Sequence, residues 1–299
     1  MKRLLLAFLA LVFAAPACAK GTNETAAIHP ALYVVRDADS TLYLFGTVHV
    51  RRRGEAWGGP EAVRALNEAS EVWTEMEISP ASDARTQALV LELGYAAPGS
   101  ELSTWLTAEE NARLAALTQR LRIPVEALEP MRPWLAGLTL SLAPMLQAGY
   151  DPSSGVDRSI DAIGDASGKA MRFFETPDEQ LRFIAGLSDD AQREMLLEAI
   201  HEAEEGPSQL EEVSAAWERG DVDVIERTVV ADTRDNYPEL YEVLFKRRNA
   251  AWIDVLAAEL DGEGVDFVAV GAGHLVGEDG LVALLRARGY RVERVRPAE

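Results

Sequence analysis

His49 and His274 are two of only four histidines in the chain, and each follows a glycine by three positions at the end of an apolar run. The first run is "YLFGTVHV" from Tyr43 and the second is "FVAVGAGH" from Phe267. Each reads as a strand that stops at a glycine and then delivers a histidine past its carboxyl end. In open α/β sheets ligands collect there. A third strand-like run, "EVWTEMEIS", carries Glu75 and Glu77, which face the same side because they are two apart. Two imidazoles and a carboxylate suit Zn, Mn, Co or Fe, with one position left open for water.

The chemistry expected of such a set is hydrolysis. A divalent cation brings the pKa of its water down toward about 7 and polarises the carbonyl under attack. His49 and His274 are the expected metal ligands. Glu75 either completes the set or takes the water's proton, and Glu77 either orients a ring or is an exposed strand residue. The 225 positions between the histidines carry no metal signature of their own, unlike a CxxC pair or a helical HExxH. Arg248, in "KRRN", offers a planar fork suited to an oxyanion or a substrate carboxylate, its alternative being a solvated helix charge. Asn249, Asp157 and Glu175, which only the family resemblance given below singles out, either shape the site or hold the helical part against the sheet. Trp134 reads as core packing. His29, before Pro30, and His201, beside Glu202, Glu204 and Glu205, read as surface residues.

Positioning these groups falls to an α/β sheet. Two apolar runs between Leu32 and Phe45 flank the turn cluster "DADS" and predict a hairpin. A helix from Pro60 and the strand "EVWTEMEI" complete a strand, helix, strand unit. From about 81 to 260 the period becomes helical, with a capping box at Thr107 and Glu110, interrupted by the strand-like "AMRFFET" at 170–176. The end returns to strand, helix and strand. The simplest arrangement is one α/β domain over 20–299, its mixed sheet built from both chain ends around a long helical insertion.

Gly271, Gly273 and Gly277, with Glu293 beyond them, raise a rival: a dinucleotide-binding turn. The spacing is GxGxxxG, and Glu278 and Asp279 would compete with a phosphate for the helix amino end. Residues 1–19 read as a secretory signal: Lys2 and Arg3, an apolar run, then small residues at Ala15, Ala17 and Ala19. Cleavage before Lys20 is preferred to a lipid anchor on Cys18, and the expected location is periplasmic or secreted. No later run is long enough to span a bilayer. The net charge is −20, and −22 once Lys2 and Arg3 leave with the leader, which argues against nucleic acid as a partner.

The paired motifs, Gly46-Thr47-Val48-His49 and Gly271-Ala272-Gly273-His274, resemble those of the TraB/GumN family, which includes the TIKI proteases. The resemblance runs from about Leu32 to Val295 and is most specific in "VGAGHLVGEDGLVALLRARGYRV". Arg132-Pro133-Trp134, Gly155-Val156-Asp157, "FFETPDEQL" and Arg248-Asn249 add to it, and the family's glutamate corresponds to Glu75 rather than Glu77. The resemblance implies a fold similar to erythromycin esterase and the ChaN proteins. It also implies a metal-dependent hydrolase, a peptidase acting on a peptide or protein, and a homodimer to be checked. Some relatives have other roles, so a non-catalytic binding or sequestering protein of the same fold is the alternative.

Overall fold

The computed structural model of the chain describes residues 28–297; the expected leader, its cleavage site and Cys18 lie outside them. Strands β1 (Leu32–Arg36) and β2 (Ser40–Thr47) form the predicted hairpin, Leu32 opposite Phe45 and Arg36 opposite Thr41. Asp37 closes its turn: Oδ1 accepts from the Ser40 N–H and the Ser40 hydroxyl, each at 2.8 Å. A short carboxylate that bonds the backbone ahead of it favours a turn over further strand.

The other strands are β3 (Arg51–Arg52), β4 (Glu71–Met76), β5 (Tyr150–Asp151), β6 (Ala170–Glu175), β7 (Gly264–Gly271) and β8 (Val292–Arg294). Six of them make one mixed sheet in the order β6-β4-β7-β2-β1-β8, while β3 and β5 pair separately. Strands β2, β7, β4 and β6 run parallel, and β1 is antiparallel to both its neighbours. The fold is thus α/β, with a sheet assembled from both ends of the chain. Strand β7 explains the centre: Phe267, Val268, Ala269 and Val270 are all buried, so both faces are covered, as an unbroken apolar run requires. It enters between β2 and β4, so the first strand, helix, strand unit spans a strand from the far end of the chain.

The strand expected within the helical stretch is β6, and it joins the main sheet at its edge. Helices before it include Pro80–Gly94, Ala108–Leu121, Pro133–Gln147 and Val156–Ala166; after it come Asp189–Glu205 and Arg247–Leu260, among others. The capping box forms as predicted, Glu110 N–H to Thr107 Oγ1 at 3.2 Å and Thr107 N–H to Glu110 Oε2 at 2.8 Å. Pro133–Gln147 packs along Asp189–Glu205, with Trp134 wholly buried. Two π-helical turns, Glu226–Ala231 and Glu242–Lys246, interrupt the run that leads into Arg247–Leu260. Each widens the turn and moves the residues after it to a different face.

Candidate functional site

Both histidine turns leave adjacent parallel strands. Thr47 pairs with Gly271 at the last position of β2 and β7, so the motifs sit side by side, one residue out of step. Gly46 makes this possible, because a Cβ there would lie 3.0 Å from the Cβ of Ala272. Glu75, near the end of β4, and Glu175, at the end of β6, emerge at the same carboxyl edge.

His49 is held from behind. Its Nδ1 lies 2.7 Å from Asp157 Oδ2, while the Thr47 hydroxyl donates to Asp157 Oδ1. Asp157 stands in the first turn of Val156–Ala166, where the helix dipole favours an anion. The Val156 N–H donates to Val48 O at 2.9 Å, and a Cβ at Gly155 would fall 2.5 Å from His49 O, so only glycine lets this helix end dock on the histidine turn. Burial disfavours a charge on His49, but the Asp157 carboxylate outweighs it and pushes the imidazole up to about 9.

His274 has the opposite electrostatics. Its Nδ1 lies 2.7 Å from Asn249 Oδ1, and the Asn249 amide nitrogen donates to Asp279 O at 2.8 Å, which fixes the amide's orientation. Nδ1 therefore carries the proton and Nε2 is a lone pair, 3.1 Å from Arg248 Nη1. Burial and the Arg248 guanidinium push this ring down to about 3, so it is neutral. Phe245 and Trp252 pack their rings on it, at 5.3 and 4.5 Å between centroids.

Arg248 binds the two glutamates together. Nη2 donates to Glu75 Oε2 at 2.6 Å and to Glu175 Oε2 at 2.9 Å, Nε to Glu175 Oε1 at 2.8 Å, and Nη1 to Leu244 O at 3.3 Å. With the His274 contact, all five of its N–H groups are used. Glu75 also accepts from the Gly271 N–H at 2.7 Å and from Gln180 at 3.3 Å. Burial opposes its ionisation, but Arg248, the nearby imidazoles and the Gly271 N–H hold its carboxyl well below the usual range. Glu175 accepts from Trp252 Nε1 at 3.0 Å, and burial leaves its carboxyl above the usual range.

The donors fit a divalent cation in kind. Each imidazole is held through Nδ1 by an acceptor behind it, the arrangement that orients ligating histidines. Once His49 is neutral, Glu75, Glu175 and Asp157 stand against one guanidinium, two negative charges in excess. Gly271 keeps the meeting point open: a Cβ there would lie 3.2 Å from Glu75 Oε1, 3.6 Å from His274 Cδ2 and 3.8 Å from His49 Nε2. The spacing is looser than the chemistry. Among the described residues, only Glu71, Glu259 and Asp266, at the other end of the sheet, bring three ligand atoms within 4.8 Å of one another. At the histidine edge Arg248 donates to both Glu75 and His274.

The structure thus brings together His49, Glu75, His274, Arg248, Asn249, Asp157 and Glu175. Glu77 is exposed, because β4 ends at Met76 and the alternation that would align it with Glu75 ends too. Arg248 is buried, and no N–H remains free for a substrate oxygen. His29 and His201 keep about a third of their side chains exposed, near Glu61 and Glu205 respectively, in other regions. Gly271 and Gly273 face Glu75, Phe245 and Val230. Gln180 and Trp252 join the network without a signal in the sequence; Gln180 lies in "FFETPDEQL", but nothing in its spacing marks it as reaching Glu75. A cleft opens over the site, its other wall formed by Met76, Ile78, Phe183, Ile184, Leu244 and Phe245.

No curated protein and no solved structure matches the chain at a significant level. A profile of one family matches residues 31–294, which includes both histidine turns, the glutamates and Arg248. The chain belongs to the TraB/PrgY/gumN family.

Proposed function

We propose that the protein is a TIKI-like hydrolase, exported to the periplasm or secreted, that cleaves a peptide or protein substrate. The observation that carries this reading is the convergence of His49 Nε2, Glu75 Oε1 and His274 around Gly271, under a cleft with one apolar wall. The wall suits an apolar side chain next to the scissile carbonyl, and filling it excludes water and strengthens the electrostatics beneath. Glu75, ionised at neutral pH, accepts a proton from the attacking water. A carboxylate held so low is a weak base for ordinary water. A divalent metal, Mn, Co, Zn or Fe, held by His49 and His274 with Glu75 as third ligand or base, would acidify that water and polarise the carbonyl. Asp157 and Asn249 keep the two rings turned inward, and Arg248 keeps Glu75 charged and both glutamates in place.

One observation favours a second reading. Every N–H of Arg248 is satisfied within the protein, so this part of the network is complete without a ligand, as a non-catalytic binding protein would allow. Peptide-library cleavage by the metal-reconstituted chain, beside His274→Ala, separates the two. Hydrolysis predicts cleavage that the substitution abolishes; a binding protein cleaves nothing with any of the four metals.

A further inference from the structure

The carboxylates of Glu71, Glu259 and Asp266 meet at the amino ends of β4 and β7, at the opposite edge of the sheet from the histidines. Glu71 pairs with Asp266 across the two strands, and Glu259 comes from the last turn of Arg247–Leu260. One oxygen of each lies within 4.8 Å of the others. That spacing is close to what a single ion needs to touch all three, since calcium–oxygen distances run to about 2.6 Å.

An acidic cluster alone would mean little, but Asp266 adds a separate observation. It is 8% exposed, and among the described residues no hydrogen bond or ion pair reaches its carboxylate, although it points into the cluster. A carboxylate that little water reaches and no donor meets is costly. Arg172 pairs with Glu71 at 3.1 Å and leaves Asp266 unpaired. Glu259 sits at the helix end where the dipole disfavours an anion, with no basic residue in that turn. Burial and the two neighbouring glutamates push Asp266 up to about 6.

We infer that Glu71, Glu259 and Asp266 form a calcium-binding site that fastens the far ends of the elements carrying the histidine edge. Strand β4 bears Glu75, β7 leads to His274, and the helix bears Arg248 and Asn249. Three oxygen donors, two of them partly exposed, suit an ion that completes its shell with water and tolerates irregular geometry.

The test is calorimetric titration of the chelator-treated chain with calcium chloride, with thermal unfolding at matched ionic strength. The expected result is one binding site and a rise in Tm of about 5–10 °C when calcium is 100-fold above its Kd. Asp266→Asn and Glu259→Gln should each lose the rise, while His49→Ala keeps it. Absence of both heat and shift in the native chain, or a shift that survives in both carboxamide variants, overturns the site. Glu259→Gln, at a partly exposed helix end, keeps the test decisive should Asp266→Asn fail to fold.

Discussion

His274 accepts a hydrogen bond from Arg248: guanidinium Nη1 lies 3.1 Å from imidazole Nε2, and arginine has only donors to offer. The contact fixes the tautomer, keeps the ring neutral and sets its lone pair beside Glu75. It also makes Arg248 the keystone of a buried network containing two carboxylates.

Removing that keystone should be severe. Arg248→Met leaves Glu75 and Glu175 without their shared cation and should cost about 3–5 kcal/mol, measured by denaturant unfolding. Adding Glu175→Gln should recover part of the loss. Equal stability of the single variant and the native chain would show that the network contributes nothing.

Asp157→Asn should act first on His49, since the Thr47 hydroxyl can still donate to the amide oxygen. Burial disfavours the imidazolium, and the carboxylate is what holds the ring at about 9. Without it the pKa should fall by at least about one unit, followed by NMR of the ring protons. In the native chain this pair stabilises the fold fully below about 6.5 and less as pH rises through about 9; in the variant that dependence should vanish. Losing the orienting partner should also lower activity by about 10–100-fold.

The two glycines of the second turn should separate function from stability. In Gly271→Ala the new Cβ intrudes where the three side chains converge, so turnover should drop while stability changes by about 1 kcal/mol. In Gly273→Ala it falls 2.7 Å from Phe245 Cε1, so stability should drop by about 1–3 kcal/mol. Unfolding curves and initial rates on both variants check the contrast.

Asp161 predicts a pH effect outside the histidine edge. It is buried in Val156–Ala166, and burial with Asp165 nearby raises its carboxyl to about 6. A raised acid costs nothing below its unfolded pKa, and the cost is complete above the folded one. Asp161→Asn should therefore be more stable than the native chain by about 1–3 kcal/mol above pH 6, the difference closing toward pH 4. Unfolding at pH 4 and pH 7.5 measures it.

The strands and both histidine turns were legible because a buried strand announces itself as an apolar run and a glycine marks its end. The partners were less so. Arg247 and Arg248 look alike in "KRRN", yet one side chain is 70% exposed and the other 9%. The π turn just before them resets the helix face, and a 3.6-residue count cannot register an inserted residue. Glu75 and Glu77 were separable only where β4 stops. Gln180 and Trp252 reach the network through packing that no spacing encodes.

The most direct test of one shared site is the metal content of the chain from Lys20 to Glu299 after reconstitution with Mn, Co, Zn or Fe, beside His49→Ala and His274→Ala. The account predicts about one such metal per native chain, lost in both variants while they remain folded, with peptide cleavage lost alongside it. Equal metal content in all three proteins, or none in any, would contradict it.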